Sequence, residues 1–169
     1  AAIRDDHPVL FEEHKGLYRA PSLREVLPEE DYVVPLGKAR TVRTGSDVTV
    51  VTYGAMVHRC VEAADALERE GTSLEILDLR TLLPLDEEAI VESVKRTGKL
   101  LVVHEDTRTG GIAGEIAIRI NERAFEWLDG PILRVTAIDA PVPFSASMED
   151  AFLPQVTDIA TAARYLARY

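Results

Sequence analysis

LEILDLRTLLPLD, Leu74 to Asp86, is the stretch whose reading decides the fold. Apolar residues at Leu74, Ile76, Leu77 and Leu79 describe a short strand. The charged Asp78-Leu79-Arg80 and a polar turn follow, and Pro84 breaks any continuing regular structure. Asp86 is placed to cap a helix whose first residues, Glu87 and Glu88, suit the positive end of a helix. Strand, loop and capped helix in thirteen residues make one step of a βαβ crossover.

The same alternation runs outward from this step. Upstream, Val48 to Tyr53 is apolar and β-branched, as a strand covered on both faces would be. A helix follows from Met56 to Glu70, with Val57, Cys60, Val61, Ala64 and Leu67 on one face and Gly71 as its stop. Downstream, the helix from Glu87 to about Thr97 turns Ile90, Val91 and Val94 inward and ends at Gly98. Lys95 and Arg96 sit at its negative end. Leu100 to His104 is a continuously apolar strand. After HEDTRTGGIAGEI comes a helix with Ile112, Ile116, Ile120 and Ala124 at helical spacing. Pro131 to Ile138 is a further strand, and a last helix spans about Gln155 to Ala167. Strands alternating with helices imply a largely parallel sheet covered on both faces, an α/β domain.

The first part of the chain reads differently. Pro8 to Glu13 has the composition of a strand but no earlier strand to pair with, so the beginning of the sequence reads as a cut. Lys15 to Pro35 is rich in proline and charge and reads as a linker. Tyr32 to Val42 adds short extended pieces, and the compact domain starts near Gly45. The closing YLARY reads as a natural end.

Composition narrows the function. The chain has 169 residues, 46% hydrophobic and 28% charged, enough for one domain with a core and an appendage. Its apolar runs fall far short of the roughly 20 residues of a membrane span. Twenty-nine acids against 19 bases give a net charge of -10, which repels nucleic acid and suits a basic protein partner. One cysteine excludes an internal disulfide, and no secretory leader is visible, so a reducing, cytoplasmic setting is expected. Arginine far outnumbering lysine points to a bacterial source.

Residues able to carry chemistry are few. The four histidines, His7, His14, His58 and His104, show no metal-ligand spacing. His58 is expected on a helix surface. His104, followed by Glu105, ends a strand at the sheet edge where α/β proteins place their sites. The reading adopted is a histidine held by a neighbouring carboxylate or backbone group that fixes the loop. Gly110 and Gly111 open a helix after that strand, where backbone donors can hold an anion. Tight strand-to-helix packing explains the same glycines. Asp78 and Arg80 read as a structural ion pair or interface contact, with both acids of the loop, Asp78 and Asp86, ionised. Ser145 and Ser147 lack any triad context.

Five segments in order, GSDVTVVTYGAMV, LEILDLRTLLPLD, TGKLLVVHEDTRTGGIAGEI, LRVTAIDAPVPF and the final helix, resemble the C-terminal domain of transketolase-like thiamine diphosphate enzymes. They most resemble the beta subunit of the 2-oxo acid dehydrogenase decarboxylating component, of pyruvate or branched-chain type. The resemblance implies a mainly parallel sheet with one antiparallel strand and helices on both faces. It divides the chain into 1–19, the end of the pyrimidine-binding domain; 20–44, a linker; and 45–169, the C-terminal domain.

In that family an alpha subunit and a second beta subunit complete a heterotetramer. Thiamine diphosphate and magnesium are held by parts absent from this chain, so no catalytic or cofactor residue is carried over, and the chain alone is expected to be inactive. The domain's implied work is assembly, including docking of the subunit-binding domain of the lipoyl acyltransferase, with Asp139 and Tyr169 as candidates. Asp5 is the candidate for a structural potassium site found in some relatives. Two other readings stand beside this one. The first is a regulatory anion-binding domain at Gly110 and Gly111; the second is the C-terminal domain of transketolase or deoxyxylulose phosphate synthase.

Overall fold

In the computed structural model, residues 1–24, 26 and 28–169 are described. Five strands form one sheet: β1 (Arg40–Arg43), β2 (Val48–Thr52), β3 (Leu74–Asp78), β4 (Leu100–Thr107) and β5 (Leu133–Ala137). Their order is β1-β3-β2-β4-β5. β1 runs antiparallel to β3, and every other pairing is parallel. The helices are α1 (Met56–Glu68), α2 (Glu87–Thr97), α3 (Ile112–Ala124), α4 (Ala146–Phe152) and α5 (Val156–Leu166).

Two apolar layers enclose the sheet. On one face Val48, Val50, Ile76, Leu101 and Val103 pack against Cys60 and Leu67 of α1 and Ile159 and Leu166 of α5. On the other, Val51, Leu77, Leu100 and Val102 meet Ile90 and Val94 of α2 and Ile116 and Ile120 of α3. The central strand β2 is buried at all five residues, so its sequence shows no polar face.

The local signals hold. Asp86 caps α2 by accepting the Ala89 N–H at 3.3 Å. Gly98 ends the helix in the left-handed conformation, φ 68°, its N–H bonded to the Val94 carbonyl. Gly71, φ 86°, follows α1. Gln155 and Asp158 form a reciprocal capping box on α5.

Three features depart from the sequence reading. Pro8 to Glu13 is not a strand: those residues lie outside any regular element and are exposed. No strand among the described residues offers them a ladder, and without one a β-rich composition has nothing to hold it extended. Arg40–Arg43 lies in the sheet, so the compact domain begins before Gly45. The short α4 was not expected; Phe152 is its one buried residue, too little for a periodic signal.

Candidate functional site

The chain runs from β2 to β3 on one side and then crosses to β4 on the other, so the strand order reverses between the carboxyl ends of β2 and β4. Crevices at such points are where open α/β sheets bind ligands. Tyr53 follows β2, and His104 lies within β4, which continues to Thr107 and does not end at the histidine. The two residues sit just past the β2·β4 ladder and stack with ring centroids 6.4 Å apart.

His104 is fully buried. Its Nε2 accepts the backbone N–H of Ala113, in the first turn of α3, at 3.4 Å. That bond assigns the ring proton to Nδ1, which has no partner among the described residues. Burial holds the imidazole pKa below its ordinary value, against the pull of Asp106. Its adjacent acid, Glu105, faces His14 at 3.5 Å instead. Burial also pushes the Tyr53 phenol up to about 12, helped by Asp106, Glu105 and Glu12.

Gly111 lets the start of α3 lie close against β4. A Cβ there would lie 2.4 Å from the Thr107 carbonyl oxygen and 2.6 Å from His104 Cε1. Gly110 beside it takes φ 80°. At this helix start the Ala113 donor is committed to His104. Asp139, just after β5, accepts the Thr109 N–H at 2.8 Å and its hydroxyl at 2.7 Å, and these bonds hold its carboxyl below the usual range. Thr107, Thr109 and Ala113 thus have acceptors within the chain.

The loop of the opening motif is pinned from within. Asp78 accepts the Arg80 backbone N–H at 3.1 Å, and Arg80 takes φ 54°. The Arg80 guanidinium reaches the Ala39 carbonyl at 3.4 Å, not the Asp78 carboxylate, so the expected side-chain ion pair is replaced by backbone bonds. Burial raises the Asp78 pKa. Asp86 accepts the Ala39 N–H at 3.0 Å as well as capping α2, tying the approach to β1 onto the crossover.

The remaining candidates lie apart. Asp5 sits in an exposed turn, accepting the His7 N–H at 2.9 Å, which lowers its pKa. Among the described residues no three His, Cys, Asp or Glu side chains are grouped to hold a metal ion. Tyr169 is exposed, its hydroxyl 2.8 Å from that of Tyr165. His58 is half-buried on α1.

One polar cluster escaped the sequence reading. Glu75, 3% exposed in β3, accepts from Ser93 at 2.6 Å and pairs with Arg96. Ser93 and Thr97 each bond the Thr49 hydroxyl, at 2.6 and 2.7 Å. The available signal was Ser93 and Thr97 at i, i+4 on the inward face of α2, beside Ile90 and Val94.

A catalytic centre needs a nucleophile or base within reach of a reacting atom. Cys60 is buried with its thiol pushed up to about 12, so it supplies no thiolate. His104 spends its acceptor nitrogen on α3. The one acid–imidazole contact at this edge among the described residues, His14 with Glu105, is partly exposed to solvent.

A five-strand α/β sheet, parallel except for one antiparallel edge and covered by helices on both faces, is the class of this domain. Residues 37–159 match the family described as Transketolase, C-terminal domain. The chain belongs to that family. It is 46% identical over 169 residues to the pyruvate dehydrogenase E1 component subunit beta of Bacillus subtilis, covering all of this chain and 51% of that protein. It is 45% identical over 170 residues to the 2-oxoisovalerate dehydrogenase subunit beta of the same organism, again with 100% and 51% covered. It is 48% identical to the acetoin:2,6-dichlorophenolindophenol oxidoreductase subunit beta of Cupriavidus necator, covering 96% of this chain and 47% of that one. The chain spans about half the length of these curated relatives. Among solved structures, a split-gene transketolase described as an inactive beta4 tetramer superposes with TM-score 0.69 and 27% identity, over 86% of this chain and 46% of that one. A transketolase from Pichia stipitis shares the fold, with TM-score 0.55, 14% identity and 78% and 18% covered.

Proposed function

We propose that this chain is the C-terminal assembly domain of the beta subunit of a thiamine diphosphate-dependent 2-oxo acid dehydrogenase, inactive alone. The observation that carries the reading is the whole-chain identity of 45–48% to three beta subunits whose names specify different substrates. A half shared so evenly by enzymes for pyruvate, 2-oxoisovalerate and acetoin serves what they have in common. Substrate choice then resides in the other half or in the partner.

The residues fit that role. Near the start of α3, Thr109 and Ala113 spend their N–H groups on Asp139 and His104. Thiamine diphosphate and magnesium belong to the completed enzyme. His104, Glu105, Asp78 and Arg80 fix the loops at the sheet edge. Residues 1–19 belong to the preceding domain: Ile3, Leu10 and Phe11 are 101%, 92% and 75% exposed and await a cover. An alpha subunit and a second beta subunit complete the enzyme, in the bacterial cytoplasm. Asp139 and Tyr169 remain the candidates for docking the lipoyl acyltransferase, and they flank opposite ends of β5, Asp139 after it and Tyr169 against Gly130 before it.

The test is an assay of pyruvate and branched-chain 2-oxo acid decarboxylation by this chain alone, by the chain joined to an upstream half, and by the joined form with an alpha subunit. Turnover is expected only in the last. Decarboxylation by the chain alone would overturn the reading.

A further inference from the structure

We propose that the open edge of β5, lying in a groove between α3 and α5, takes up an extended, carboxylate-bearing segment of a partner protein as a sixth strand. The inference rests on the sheet edge and is independent of the enzyme reading above.

β5 ends the sheet, with β4 as its one neighbour. Five residues present about 17 Å of strand. Alternate residues turn their N–H and C=O outward, and no other backbone group among the described residues bonds them. Leu133, Val135 and Thr136 are half-buried and Arg134 is exposed, as befits an uncovered edge.

A groove of about 540 Å³ runs along this edge. One wall is Ala113, Gly114 and Ala117 of α3; Ala162 of α5 stands on the other side; Ile132 and Leu133 form the floor. Small side chains on both helices leave room for another backbone beside β5.

The charge of the groove sets the occupant. Its charged lining residues are Arg108 and Arg134, in a chain whose acids outnumber its bases 29 to 19. Asp139 outside the lining acts on Arg108, which leaves Arg134 as the lining cation without a carboxylate among the described residues. Arg134 is held in place by donating to the Arg108 carbonyl at 3.0 Å, which leaves further guanidinium donors for a ligand. A second copy docking by this same edge would bring four guanidiniums into one cleft, so an isologous pairing is disfavoured. An acidic segment in β-augmentation satisfies both the backbone and the cations.

The probe is an N-acetylated eight-residue peptide alternating valine and glutamate, titrated into the ¹⁵N-labelled chain. The control peptide has lysine in place of glutamate. Expected are shifts and slowed exchange of amides between 132 and 138 with the glutamate peptide, a 1:1 complex by sedimentation, and no such effect of the lysine peptide. Arg108→Gln with Arg134→Gln, both at the surface, should weaken binding about tenfold and keep the circular dichroism spectrum. No change at β5, equal effects of the two peptides, or no loss in the double variant would overturn the proposal. So would β5 amides already protected in a dimer and exposed on its dissociation, since the occupant would then be a second copy.

Discussion

Replacing Gly111 by alanine tests the close approach that joins β4 to α3. The backbone there has φ -67° and ψ 157°, which any residue adopts, so the cost is steric alone. The new Cβ would meet the Thr107 carbonyl oxygen at 2.4 Å and His104 Cε1 at 2.6 Å. A carbonyl in a strand cannot turn aside, so the loop must move. Overpacking of this kind costs about 1–3 kcal/mol. Turning the imidazole to make space also gives up the Ala113 hydrogen bond, about 1 kcal/mol more. Gly111→Ala should therefore lose about 3 kcal/mol. With a urea slope of about 2 kcal/mol/M, the unfolding midpoint falls by about 1.5 M with the slope unchanged.

Two neighbours separate this cause from others. Gly110 has φ 80° and open space around an added Cβ, so Gly110→Ala carries only the left-handed penalty, about 1–2 kcal/mol. Gly114 lies within α3 with nothing within 4 Å of an added Cβ, so Gly114→Ala should gain about 0.5–1 kcal/mol. Urea unfolding of the three variants at pH 7.5 decides the matter. If Gly111→Ala costs no more than Gly110→Ala, the close-packing argument is wrong.

His104 has a pKa lowered by burial, so the unfolded chain binds its proton first. Its contribution to stability is complete above the usual value near 6.5 and is lost as pH falls below it, at up to about 1.4 kcal/mol per pH unit until the folded pKa is reached. His104→Gln should remove that slope between pH 7 and 5, measured by urea unfolding at several pH values; an unaltered slope would show that another group titrates there. Thr49→Val strips the central hydroxyl from the Ser93 and Thr97 bonds and should cost about 1–3 kcal/mol, read as a drop in thermal midpoint. Asp86→Ala removes both the α2 cap and the Ala39 anchor. It should cost about 1–2 kcal/mol and speed hydrogen exchange at Ala89 and Ala39 together; faster exchange at Ala89 alone would mean that β1 is held by its ladder.

Near-neighbour physics is what a linear sequence carries. The helix α2 could be bounded from its own residues, because Asp86, Gly98 and the apolar spacing of Ile90, Val91 and Val94 act within a turn or two. The burial of β2, and its likeness to β4, followed from unbroken β-branched and apolar runs. His104 was legible as a residue of the sheet edge because it closes such a run. Its tie to Ala113 was not, since that bond depends on where α3 starts in space. The Asp78–Arg80 pair illustrates the same limit: opposite charges two residues apart suggest an ion pair. In the fold the guanidinium turns to Ala39, 41 residues away.

The sequence by itself determined the alternation of strands and helices, their caps, the faces they bury and the family likeness of the whole chain. Tertiary structure alone decided that Arg40–Arg43 joins the sheet antiparallel while Pro8 to Glu13 joins nothing. It also decided that Glu75 is buried with a partner from α2, and that β5 is left as an open edge between two helices. The reason is the range of the forces involved. Propensity and capping act along the chain, whereas a strand or a buried charge is stabilised only by the group that folding brings across from elsewhere.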